Sequence, residues 1–461
     1  MVHGPLIQQR QHWWHSLSVP QFTLVSGLLV IFSGSLLLSL PFAHVGPLNY
    51  WSALFTSTSA VTVTGLTVID VGTQLSLFGQ LVLMLLILIG GLGLMAITIF
   101  LQGFVLRGGD LRRRLDRGRA LDEFGVGGIG PTFHQILRTA LSLIAIGAIL
   151  LFCLGFGAET GGLPQRLWLS LFHAVSAYNN AGFSLWSSSL EGYRANPPVN
   201  GVIILLIITG GLGYRVTSDL WSKRLQLRRF RQLSFHSRLV LRCSAVLVLL
   251  GFLGLLLTEA FGSGILSVLP WQERFWAALF QSVSARTAGF HSIPLSVHTF
   301  SDAGLVLLMA LMFIGASPGG TGGGLKTTTM AVLLAATRSA LWGEEQVVVH
   351  HRAVSYKVVL RALGVTVGSL LFVLLMAILL SLVSRPISDV SFIEFLFTSI
   401  SAFATVGMDL GVTARLNGFG QLVLMVGMFV GRVGILLLLS AVLQRQSLHT
   451  YVRYTQAELH V

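Results

Sequence analysis

Four segments of the chain repeat one pattern at nearly even spacing: SALFTSTSAVTVTGL (Ser52–Leu66), LSLFHAVSAYNNAGF (Leu169–Phe183), AALFQSVSARTAGF (Ala277–Phe290) and EFLFTSISAFATVGM (Glu394–Met408). Each places a serine four residues and an alanine five residues after a phenylalanine, at Phe55/Ser59/Ala60, Phe172/Ser176/Ala177, Phe280/Ser284/Ala285 and Phe397/Ser401/Ala402. A short link, one residue shorter in the third copy, then leads to Gly65, Gly182, Gly289 and Gly407. Successive glycines are 117, 107 and 118 residues apart. Repetition at a fixed period predicts a fold built from four copies of one supersecondary unit.

The residues between the copies define the solvent. Of 461 residues, 53% are hydrophobic and only 10% charged, too biased for two or three soluble domains. A helix needs roughly 20 apolar residues to cross a hydrocarbon core of about 30 Å, and eight stretches qualify, at roughly 22–41, 75–100, 135–157, 200–221, 239–258, 303–336 (interrupted), 358–383 and 418–443. The first is too long for a signal core and no small-residue cleavage site follows it before Pro41. The expected fold is an all-α membrane protein with eight transmembrane helices. Its expected parts are an N-terminal segment (1–21), repeats over 22–120, 121–232, 233–345 and 346–445, and a tail (446–461).

A net charge of +13 raises the question of nucleic acid, and charge placement answers it. Arg107, Arg112, Arg113, Arg114, Arg117 and Arg119 follow the second stretch; Lys223, Arg224, Arg228, Arg229 and Arg231 follow the fourth; Arg338, Arg352, Lys357 and Arg361 surround the link after the sixth. The alternate loops hold Glu159, Glu191, Glu259, Glu273, Asp389 and Glu394 and few basic residues. By the positive-inside rule the basic links and both termini are expected on the cytoplasmic side. Cys153 and Cys243 lie within apolar stretches and fit no disulfide or metal spacing.

The four repeated segments are too short and polar to cross the membrane, and each lies between two spans on the non-cytoplasmic side. Irregular backbone at membrane depth is tolerated where protein or a water-filled cavity surrounds it. Each segment is therefore a candidate re-entrant pore loop; the alternative is four extracellular amphipathic turns left by a duplication. Backbone carbonyls can replace a cation's water shell, glycine reaches the backbone angles that aim them, and a preceding helix directs its negative end at the ion. The expected selectivity filter is Val63-Thr64-Gly65, Asn180-Ala181-Gly182, Thr287-Ala288-Gly289 and Thr405-Val406-Gly407 in pseudo-fourfold arrangement around one pore, with potassium held by carbonyls near the four glycines. Arg286 is expected to point behind the filter and to hydrogen-bond loop carbonyls.

These loops, with VTGL, NNAGF, ARTAGF and SAFATVG, resemble the Trk/Ktr/HKT superfamily of potassium transporters over nearly the whole chain, and the short segment before the first span is more similar to the Ktr membrane subunit. The resemblance implies potassium uptake, with sodium as a coupled ion, through a homodimer whose protomers each have a pore. It also implies a multi-pass location in the cytoplasmic (inner) membrane and a cytoplasmic nucleotide-binding regulatory ring of the KtrA/TrkA (RCK) kind. Nucleotide would bind that partner, and this chain would carry no covalent cofactor.

The run Gly315–Thr329 interrupts the sixth stretch, and five glycines and a proline between Pro318 and Gly324 remove its helical preference. A phosphate loop needs lysine directly after its last glycine and a preceding strand; here Leu325 precedes Lys326 and the run follows an apolar helix. The resemblance implies a movable intramembrane gate formed by Gly315, Ser317, Gly319, Gly320, Thr321, Gly322, Gly323, Gly324 and Lys326, with Arg432 below the filter as a positive barrier and anchor. Either cation could instead snorkel to the interface. Gly90-Gly91-Leu92-Gly93 and Gly210-Gly211-Leu212-Gly213 are expected to permit close helix packing. A membrane enzyme is disfavoured by scattered histidines. A broken-helix secondary transporter for another solute is disfavoured because the four copies share one orientation and only Asp219 lies near a span core.

Overall fold

The computed structural model describes residues 19–92, 129–157, 161–222, 232–260, 264–349, 352–383 and 390–435. The N-terminal segment before Val19, the basic links around Arg107–Arg119 and Lys223–Arg231, Gly93, Glu159, His350, His351, Asp389 and the tail lie outside the described residues.

The described helices follow one order four times: a long helix, a shorter one ending at the repeated serine-alanine pair, a loop through the glycine, and a further helix. The first copy is α1 (Val19–Leu38), α2 (Tyr50–Val61) and α3 (Leu77–Gly91). The second is α4 (Ile129–Leu150), α5 (Leu163–Tyr178), α6 (Pro197–Leu212) and α7 (Tyr214–Ser222). The third is α8 (Phe235–Leu255), α9 (Trp271–Ser284), α10 (Asp302–Phe313) and α11 (Thr327–Trp342). The fourth is α12 (Tyr356–Val383), α13 (Phe392–Phe403) and α14 (Gly418–Val433). Two-residue strands, β1 (Val348–Val349) and β2 (Arg352–Ala353), pair antiparallel before α12.

Local chemistry sets where the helices start. Asn49, Ser76, Ser301 and Asn417 accept hydrogen bonds from first-turn amides of α2, α3, α10 and α14, and Ser391 with Glu394 forms a capping box on α13. The π-helical turns Leu151–Gly155 and Leu256–Ala260 continue α4 and α8.

The molecule is apolar outside and hydroxyl-rich within. The exposed side of α12 carries Leu363, Val367, Leu370, Leu371 and Leu375, while its buried side carries Ala362, Ser369, Val373, Met376, Ala377 and Leu380. Thr56, Ser57, Ser59, Ser282, Ser284, Thr398, Ser399 and Ser401 of the shorter helices are buried. Water would select the opposite arrangement and hydrocarbon selects this one. Among the described residues, His134–Gly155, Phe235–Ala260 and Tyr356–Val383 are long and apolar enough to cross a membrane; α6 with α7 would make a fourth, and further apolar helices are shorter.

Three expectations change. The stretch 200–221 is not one straight span: α6 and α7 meet at 103°, because Gly213 at φ +85° turns the chain at the end of a glycine-rich segment. Asp219 is consequently on α7, where its carboxylate accepts from the Ser234 amide at 2.9 Å. The interruption of the sixth stretch is 314–326, and Thr327, Thr328 and Thr329 already belong to α11. The repeated helices have 12, 16, 14 and 12 residues, about three turns or more each.

Candidate functional site: a ring of four glycine loops

Each feature of the repeat has a packing reason. Phe55, Phe172, Phe280 and Phe397 are fully buried, as are Ala60, Ala177, Ala285 and Ala402. The serine between them ties the loop back to its helix. Thr64, Ala181 and Val406 amides donate to the carbonyls of Ser59, Ser176 and Ser401 at 2.8, 2.8 and 2.9 Å; in the shorter third link the Ala288 amide donates to Ser284 O at 2.9 Å.

The loops share an unusual backbone. Gly65, Gly182, Gly289 and Gly407 have φ of +94°, +67°, +80° and +91°, and the residue two positions earlier is also left-handed: Val63 (+56°), Asn180 (+57°), Thr287 (+79°) and Thr405 (+51°). Three of those four are β-branched, the type that resists this region most, at about 1–3 kcal/mol each. Propensity misses these positions; the only sequence signal is their shared place before the repeated glycine.

The glycines then meet in chain order. A Cβ on Gly65 would lie 2.4 Å from the Ala181 carbonyl oxygen, one on Gly182 2.8 Å from that of Ala288, one on Gly289 2.2 Å from that of Val406, and one on Gly407 2.0 Å from that of Thr64. The contacts run from copy one to two, three, four and back to one. One carbonyl from each loop is thus brought against the preceding loop's glycine. Val63, Thr64, Asn180, Ala181, Thr287, Ala288, Thr405 and Val406 are buried, and the Asn180 amide meets the Thr287 hydroxyl at 3.1 Å across two copies. Among the described residues no group of three His, Cys, Asp or Glu is arranged for a metal; the ring brings together backbone carbonyls, with the Thr287 and Thr405 hydroxyls on the side of segment 314–326.

Arg286 turns away from the ring, as expected, but bonds a different group. Its guanidinium reaches the carbonyl and hydroxyl of Ser244 on α8, at 3.3 and 3.4 Å, rather than loop carbonyls. With one residue fewer in the third link, Arg286 follows the alanine directly, as Tyr178 and Phe403 do, and precedes the glycine by three, as Asn179 and Ala404 do.

The segment 314–326 lies against one side of the ring. A Cβ on Gly322 would be 2.1 Å from Thr287 Oγ1, one on Gly323 2.5 Å from Thr405 Oγ1, and one on Gly324 3.2 Å from Ala404. The Gly323 amide donates to Thr405 Oγ1 at 2.9 Å. The Ser317 and Thr321 amides donate to Gly211 and Gly210 carbonyls at 3.2 Å each, and Gly319 O accepts from the Tyr214 amide at 3.3 Å. Gly320 closes a turn onto Ser317 O at 3.0 Å, and Gly315 abuts the Gly323 carbonyl. Lys326 Nζ folds back onto the Gly322 carbonyl at 2.8 Å. The Arg432 guanidinium donates to the Thr321 carbonyl and to Gly90 O on α3. Neither cation extends to an interface; each is bonded inside.

Gly90, Gly210 and Gly431 pack beneath the last turns of α2, α5 and α13, where a Cβ would come within 2.1, 1.8 and 1.7 Å of the Val61, Tyr178 and Phe403 carbonyls. Glu259, expected in an exposed loop, is buried in the π-helical turn after α8, where it accepts from the Ser301 hydroxyl at 2.5 Å and amide at 3.2 Å.

The ring is enclosed by helices whose outer faces are apolar, as in a membrane protein. The chain belongs to the TrkH family, described as cation transport proteins, whose sequence model matches residues 10–450. It is 36% identical to the Ktr system potassium uptake protein B of Bacillus subtilis over 424 residues, 91% of this chain and 92% of that one. It is 37% identical to the potassium/sodium uptake protein NtpJ of Enterococcus hirae over 418 residues, 89% of each. The crystal structure of the potassium transporter TrkH from Vibrio parahaemolyticus has the same fold, with a TM-score of 0.72 at 20% identity over 95% of this chain and 87% of that one.

Proposed function

We propose that this chain is the ion-conducting subunit of a potassium uptake system, with eight membrane spans and four re-entrant loops that form one pseudo-fourfold filter. The observation that carries the reading is the closed glycine ring, in which each loop delivers a carbonyl beside the preceding loop's glycine. Carbonyl dipoles strip water from a cation without fixing it by a full charge. In this reading Val63 to Gly65, Asn180 to Gly182, Thr287 to Gly289 and Thr405 to Gly407 select the ion. Segment 314–326, with Lys326 and Arg432, closes the path beneath them. The relatives' names support potassium as cargo and a link to sodium. They also support a multi-subunit system, in which we place a nucleotide-binding cytoplasmic regulator and a homodimeric membrane part, with both termini cytoplasmic.

The test is growth of cells lacking potassium uptake at limiting potassium, with and without sodium, and with the regulatory subunit co-expressed. Rescue that depends on Gly289 and Gly407 supports the reading, and failure of the wild type to rescue or to carry rubidium in vesicles overturns it.

A further inference from the structure

The four repeat serines divide into two pairs. Ser59 Oγ accepts from the Gly65 amide at 3.0 Å and Ser401 Oγ accepts from the Gly407 amide at 3.1 Å. Ser176 and Ser284 instead donate to the carbonyls of Phe183 and Phe290, one residue past the glycine, at 2.8 and 2.5 Å. In a trans peptide the N–H and the preceding C=O are coplanar and point opposite ways. A hydroxyl that holds the Gly65 amide therefore fixes the direction of the Thr64 carbonyl, and one that holds the Gly407 amide fixes that of Val406. Those are ring carbonyls: the Thr64 oxygen lies beside Gly407 and the Val406 oxygen beside Gly289. The peptides that carry the Ala181 and Ala288 carbonyls have no serine hydroxyl on them, and the Gly289 amide makes only a 3.3 Å bond to Ser284 O.

We propose that Ser59 and Ser401 are positioning residues for ion selection, locking the Thr64 and Val406 carbonyls so that the first and fourth loops form a rigid half of the filter and the second and third a compliant half. The inference rests on the filter reading above. Loops one and four are neighbours in the ring, so the rigid carbonyls form one side. In the cavity-size account of selectivity, a filter discriminates against a smaller cation when its ligands do not close around it. Freeing either carbonyl lets its loop follow sodium inward, so potassium preference falls before transport does.

The experiment uses full-length protein in vesicles and measures rubidium uptake against competing sodium, with thermal unfolding in each ion as a second readout. Ser59→Ala and Ser401→Ala are expected to lower potassium-over-sodium preference roughly 3- to 10-fold, the effect of one net hydrogen bond. Ser59→Thr and Ser401→Thr, which keep an acceptor hydroxyl, retain it. Ser57→Ala removes an equally buried hydroxyl of the same helix, one that donates to Ile31 O at 2.7 Å, and is expected to lower stability without changing preference. Ser176→Ala and Ser284→Ala give smaller shifts than the first pair. Unchanged preference in folded Ser59→Ala and Ser401→Ala, or an equal shift in Ser57→Ala, Ser176→Ala or Ser284→Ala, overturns the inference. A wild type with no potassium preference overturns the filter reading itself.

Discussion

Gly289 and Gly411 have left-handed φ of +80° and +87°, yet their substitutions should act differently. At Gly411 a Cβ would meet nothing within 4 Å, so Gly411→Ala should cost only the left-handed strain, about 1–2 kcal/mol, and lower the melting temperature while leaving ion preference intact. At Gly289 the same methyl meets the Val406 carbonyl at 2.2 Å. Gly289→Ala should therefore reduce rubidium uptake at least about tenfold in protein that still purifies as a folded species. The four glycines are legible in the sequence because they recur in register. The left-handed Val63, Thr287 and Thr405 are legible by their place before the repeated glycine, but their strain is hidden, since local propensity argues against it and only the ring enforces it. Arg286 is legible in direction and not in partner, because α8 is sequence-local to nothing in the loop.

Segment 314–326 and the break between α6 and α7 satisfy each other's backbone. A straight helix would bond the Gly210 and Gly211 carbonyls internally; the bend frees them, and the Ser317 and Thr321 amides take them, while the Tyr214 amide goes to Gly319 O. In sequence the break reads as a continuous span because the apolar run does not stop there, and its cause lies on another element. Arg432 adds side-chain bonds to Thr321 and Gly90. Arg432→Ala should raise the rate of rubidium entry several-fold, and deletion of Gly322 to Gly324 should do so as well; an unchanged rate in folded protein would argue against a gate. Glu259 is a stability element by contrast. Glu259→Gln weakens the acceptor for Ser301 at the start of α10 and should lower stability by about 1–3 kcal/mol in thermal unfolding, with ion preference unaltered.

At the scale of the whole molecule, buried apolar clusters join copy one to copy two, copy three to copy four, and copy one to copy four. An ion bound at the ring would touch all four copies and so stabilise the assembly of quarters. Potassium at about 100 times its dissociation constant should add about 2.7 kcal/mol to unfolding, and sodium less. Melting temperatures measured in potassium, in sodium and in a large organic cation test this, and the potassium increment should vanish in Gly289→Ala. The architecture is legible from period and hydropathy together. The order in which loops touch is not, because no local pattern in one copy encodes which copy stands beside it.

That order has a consequence for how the chain can change over generations. Copies of a duplicated segment are ordinarily free to drift apart, and these have, in their links, their lengths and their inner helices. At Gly65, Gly182, Gly289 and Gly407 the freedom is withdrawn by a neighbour, since the space a side chain would need is filled by backbone from a different copy. Backbone cannot be exchanged for something smaller by mutation, so no compensating substitution in the adjacent copy restores the room. Each quarter of the gene therefore holds one codon fixed in the quarter before it, around a closed circle.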